Sequence, residues 1–152
     1  MSTAPSPAGK LYLVVGYDGS PPAVRALDAA VRLLNGRDGR IEVVYVAHVT
    51  PAEMMSADAI AEMREVFDEV ARDLRAQASE QLRGQEERWR FERRQGRIGE
   101  ELVAAAAKIP DAGPDDTAAI VVGSSSQAAH RVVGSVAVGL ARHAPVPLVI
   151  VP

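Results

Sequence analysis

The chain has 152 residues, 47% hydrophobic and 24% charged, the make-up of one globular domain long enough to bury a core. The 17 basic and 20 acidic residues leave a formal charge of −3, which argues against a dedicated nucleic-acid binder, while Gly 12 and Pro 10 exclude collagen-like and low-complexity architectures. Cysteine is absent, so disulfides, thiolate zinc sites, iron–sulfur clusters and cysteine nucleophiles are excluded, in keeping with a cytoplasmic protein.

Met1 to Lys10 is rich in Ala, Pro and Ser and lacks an apolar h-region, so residues 1–10 are expected to form a flexible tail rather than a signal peptide, with the domain over 11–152. The apolar runs Leu11 to Val15 and Val146 to Val151 fall far short of the ~20 residues that a spanning helix needs, and no membrane association is expected. Leu11 to Val15 instead suits a strand buried on both faces. Val24, Leu27, Val31 and Leu34 recur at three and four, the stripe of an amphipathic helix. Ser20 is its N-cap, followed by Pro21 and Pro22 in the first turn. Gly36 and Gly39 end that helix, and Ile41 to Val49 reads as the second strand.

Pro51 opens the most polar stretch. Ile60, Met63, Phe67, Val70 and Leu74 keep helical spacing there up to Gly84, with the methionines as core filler. Trp89 and Phe91 alternate with arginines through Arg94, the pattern of a strand at a sheet edge where charge discourages aggregation. Ile98, Leu102, Ala106 and Ile109 mark a third helix halted by Pro110. Ala118 to Val122 is a fourth strand, Gly134-Ser135 opens a last helix, and Val146 to Val151 is a fifth strand. Strands alternating with helices imply a doubly wound α/β domain with a parallel sheet and helices on both faces.

Ligands of such sheets sit beyond the carboxyl ends of the strands, where the winding reverses. Two loops have the place and composition for this. One is Gly16-Tyr17-Asp18-Gly19-Ser20 after the first strand. The other is Gly123-Ser124-Ser125-Ser126 after the fourth, with His130, Arg131, Gly134 and Ser135 before the last helix. Glycine lets backbone approach a ligand, and hydroxyls with free N–H groups at a helix start favour phosphate. On local chemistry alone, Asp18-Gly19-Ser20 reads equally as a turn with a helix cap, and the serine run as a simple turn. His48, His130 and His143 have no metal-ligand spacing. Neither G-x-x-x-x-G-K-[ST], G-x-G-x-x-G nor G-x-S-x-G occurs, so the usual signatures of those enzyme classes are missing.

In combination, Val14-Val-Gly-Tyr-Asp-Gly-Ser20, His48-Val49, Val121-Val-Gly123 with Gly134-Ser-Val136, and the closing Ala144 to Val151 resemble the universal stress protein family over nearly the whole chain. The resemblance implies a five-stranded parallel sheet in the order 3-2-1-4-5 and a homodimer, here through the Val146–Val151 edge strand. In one branch it implies ATP, with Mg2+ accompanying it, as a ligand that is at most slowly hydrolysed. It places Asp18 and the backbone of Val49 near adenosine, alongside Gly16. Gly123, Ser124, Gly134 and Ser135 fall near the phosphates. The family's phosphate motif G-x-x-G-x₉-G-[ST] is altered: Ser126 replaces its second glycine and the following gap is two residues short. Arg131 would then supply positive charge. The alternative is a dimeric interaction module of the same fold that binds no nucleotide.

Overall fold

The structure, a computed structural model, describes residues 9–48, 55–124 and 134–152. In chain order these form β1 (Leu11–Gly16), α1 (Pro21–Leu34), β2 (Gly39–Ala47), α2 (Ala57–Gln81), a single 3-10 turn at Glu86–Arg88, β3 (Trp89–Gln95), α3 (Ile98–Ala107), β4 (Thr117–Gly123), α4 (Ser135–His143) and β5 (Leu148–Val151). All strand pairs are parallel and the sheet runs β3-β2-β1-β4-β5, the doubly wound order expected.

Alternation along the strands feeds two cores. Leu11, Leu13 and Val15 of β1 and Ile41 and Val43 of β2 face α1 and the second half of α2. Val14, Val44, Ile120 and Val122 face α3 and α4 on the other side. The run Leu11 to Val15 is continuously apolar because β1 is the central strand and both of its faces are covered. Ser20 caps α1 as expected, its hydroxyl accepting from the Ala23 amide at 3.4 Å.

The basic run on β3 lies at the sheet edge and its charges are matched within the chain. Arg90 approaches Asp111 at 4.0 Å, Arg93 pairs with Asp68, and Arg97 pairs with Glu100 at 3.6 Å. Arg94 bonds both Glu92 at 2.6 Å and Glu101 at 2.8 Å. Such surface pairs contribute little stability.

Three expectations are revised. β2 starts at Gly39 and ends at Ala47, two residues earlier than Val49 at its close. Gly39 pairs with Leu11 at φ +144°, where a Cβ would lie 1.8 Å from the Leu11 carbonyl oxygen, so only glycine can begin the strand there. β5 starts at Leu148 rather than Val146, because Pro145 and Pro147 have no N–H to enter a ladder. Met63 is half-exposed rather than core, and Val66 is exposed. α2 has 25 residues, about 37 Å, against about 23 Å for the seven residues of β3, so its second half reaches the core, with Leu74 and Ala78 buried and Val70 packed against them.

Candidate functional site

β1 and β4 are neighbours whose helices depart to opposite faces, so their carboxyl ends frame the crevice at which a doubly wound sheet takes a ligand. Gly16, Tyr17, Asp18 and Ser20 from β1, with Val122 and Gly123 from β4, line a cleft of about 150 Å³ there. Val44 and Val46 of β2, Ile98 and Leu102 of α3, and Val136 of α4 complete its walls.

The two sides differ in what they offer. α1 begins with Pro21 and Pro22, which have no amide hydrogen. Its next two donors are already used, Ala23 on the Ser20 hydroxyl and Val24 on the Ser20 carbonyl at 2.9 Å. The Ser20 amide donates to Asp18 Oδ1 at 3.0 Å, so Asp18 forms the expected turn while staying exposed at the cleft. The β1 side therefore presents acceptors. α4 is the reverse: Gly134 at its N-cap offers no side chain, and no acidic residue stands in the first turn. Its ladder starts with the Val138 amide on the Gly134 carbonyl at 3.1 Å, which leaves the amides of Ser135, Val136 and Ala137 outside the helical hydrogen bonds. Partial positive charge accumulates at that end.

Tyr17 is almost fully buried beside Asp18, with its amide on the Val44 carbonyl at 2.9 Å. Burial holds its hydroxyl above the ordinary tyrosine range, and the Asp18 and Asp28 carboxylates add to that shift. Ser124 follows β4 with its amide on the Val151 carbonyl at 2.8 Å, and its own carbonyl accepts from the Arg25 guanidinium at 3.5 Å.

Of the residues singled out from the sequence, Gly16, Asp18 and Gly123 line one cleft, with Ser124 adjoining it. Gly134 and Ser135 open α4, whose Val136 forms a wall of the same cleft. Val49, Ser126, His130 and Arg131 lie outside the described residues. The apolar walls Val44, Val46, Ile98 and Leu102 carried no sequence signal, since each reads as an ordinary core position, whereas Val136 was part of the Gly134-Ser-Val136 piece of the resemblance. His48 stands just past β2, exposed, and lines a separate, larger cleft between α3 and α4. Among the described residues, no group of three or more His, Asp or Glu side chains is placed to hold a metal ion, and no helix is long and apolar enough to cross a membrane.

A model of the universal stress protein family matches residues 12–152. Among solved structures, universal stress protein UspA from Lactobacillus plantarum superposes with a TM-score of 0.69 at 20% identity, over 95% of this chain and 99% of that one. A universal stress protein in complex with cAMP superposes at 0.63 with 22% identity, covering 95% and 98%. A family member from Arabidopsis thaliana with AMP bound superposes at 0.61 with 14% identity, covering 93% and 90%. No curated protein matches the chain at a significant level.

Proposed function

The chain belongs to the universal stress protein family, and on that footing we propose that it binds an adenine nucleotide in the β1/β4 crevice and works as a homodimer joined through β5. The observation that carries the nucleotide reading is the polarity of the cleft. Asp18 offers a carboxylate to ribose or base on one side, and on the other the start of α4, with no side-chain cap from Gly134 and no acid in its first turn, offers amides to phosphate. Solved relatives of the same fold are described with cAMP and with AMP. Arg131 is proposed as the charge that compensates for the altered phosphate loop, and Mg2+ would arrive with the phosphates rather than on a protein site.

Titration calorimetry with ATP, AMP, cAMP and adenosine tests it. Binding with Kd on the order of 10 μM or weaker, roughly −7 kcal/mol or less favourable, is expected. Arg131→Ala should cost ATP more affinity than adenosine; equal losses remove Arg131 from the phosphate role. The second reading, an interaction module without nucleotide, is favoured by the small cleft, about 150 Å³ where ligand pockets usually span about 300–1,000 Å³. No heat from any of the four ligands at millimolar concentration would establish that second reading.

A further inference from the structure

Gly139 sits inside α4, and among the described residues a Cβ built on it would meet nothing within 4 Å. Gly99, in the first turn of α3, would bring a Cβ only to ordinary contact, 3.9 Å from Leu140. Glycine is the poorest helix former after proline, and inside a helix it is commonly retained because another backbone packs against it. Neither glycine has that role here. What they leave is open space, a groove of about 730 Å³ between α3 and α4, within the usual range for small-molecule sites.

The groove is apolar in its body and polar at one end. Ile98, Val136 and Leu140 supply apolar walls. His48 follows the carboxyl end of β2, Arg97 is the N-cap of α3, and Ser135 opens α4, so all three stand at the same edge of the sheet. Among the described residues Glu100 is the one carboxylate on the rim, and it is paired with Arg97 at 3.6 Å, both side chains being largely exposed. An exposed pair of this kind is weak and leaves most of the five guanidinium donors open. His143 lies towards the other end, at the close of α4. Among the described residues the rim thus combines three nitrogen-bearing side chains with a single, already engaged acid.

We propose that this groove binds a small anionic amphiphile, its apolar body laid along α4 over Ile98, Val136 and Leu140, and its acid group beside Arg97, His48 and Ser135. The groove shares the walls Ile98 and Val136 with the nucleotide crevice, its Ser135 belongs to the α4 start proposed to face phosphate, and from there it runs away from Asp18 along α4 to His143.

The test is a fluorescence titration of the full chain with 1-anilinonaphthalene-8-sulfonate, followed by displacement with decanoate and, as a neutral control, 1-decanol. The wild type should bind the dye and release it to decanoate at least tenfold more readily than to decanol. Gly139→Leu starts from a Cβ position with open space around it and extends into the groove, so dye and decanoate affinity should fall at least tenfold while Tm holds or rises. Gly139→Ala should show a smaller loss with a raised Tm, which covers the case of a poorly folded leucine variant. Arg97→Gln should weaken decanoate at least threefold and leave decanol unchanged. Asp18→Ala should leave decanoate binding intact. Undiminished binding in folded Gly139→Leu and Gly139→Ala, equal displacement by decanol and decanoate, or loss of decanoate in Asp18→Ala would each overturn the proposal.

Discussion

Gly123, the last residue of β4, lies against the first turn of α1 so closely that a Cβ on it would stand 2.2 Å from the Pro22 carbonyl oxygen. Neither side can easily give, since Pro22 is held in a capped helix start and Gly123 in the β4–β5 ladder opposite Val151. The glycine at the mouth of the crevice is thus required by packing before any ligand is considered. Gly123→Ala should lower stability by roughly 1–3 kcal/mol, the usual cost of overpacking, and drop Tm by several degrees in a thermal melt without ligand. Wild-type Tm with lost nucleotide binding would instead assign Gly123 to ligand contact alone.

Asp18 offers the opposite case. It is exposed and its structural duty is one bond to the Ser20 amide. Asp18→Ala should weaken nucleotide binding by ~1.5–3 kcal/mol, the worth of a hydrogen bond to a charged group, with little change in the ligand-free Tm. A large fall in Tm with unchanged affinity would make the residue a turn element only.

Tyr17 makes stability depend on alkaline pH. Its hydroxyl titrates above the ordinary value of 10.0, raised by burial first and by Asp18 and Asp28 after it. The unfolded chain therefore loses this proton at a lower pH than the folded one. The stabilisation it brings is complete below about pH 10 and is lost as pH rises through the folded value. Urea unfolding at about pH 9 and about pH 11 should show a steeper loss for the wild type than for Tyr17→Phe. Identical slopes would show that Tyr17 does not report this environment. In Asp18→Ala the tyrosinate absorbance titration should shift to lower pH.

β5 bears on the proposed dimer through its backbone. The Pro147 and Val151 carbonyls accept from Ile120 and Ser124 at 2.9 and 2.8 Å, so these residues turn their polar groups towards β4. By the alternation of a parallel ladder, Leu148 and Ile150 turn theirs outward at the open edge. Light scattering should report a dimer of the 16.1 kDa chain. Ile150→Pro removes an outward N–H and should shift that dimer towards monomer while circular dichroism keeps its helical signal. A wild-type monomer at micromolar concentration would refute pairing through this edge.

Much of the architecture was legible in the residues because its signals are local. The stripe Val24, Leu27, Val31 and Leu34 marks a helix wherever it lies, Ser20 before two prolines marks its start, and arginines alternating with Trp89 and Phe91 mark a strand with a solvated side. Asp18 was readable as a cleft residue for the same reason, since a Gly-Tyr-Asp-Gly-Ser turn after a buried strand falls at the carboxyl edge of any such sheet. Local patterns cannot say which distant side chains share a wall. Val44, Ile98 and Val136 come from β2, α3 and α4 and meet only because crossovers on opposite faces bring those elements to one crevice. The partners of Arg93 and Arg94, the exposure of Met63 and Val66, and the demand for glycine at 123 likewise depend on what another element places within a few ångströms. The periodicity of the chain determines which elements form and which faces they bury. Distances between elements far apart in sequence are set by packing, and only the tertiary structure decided them.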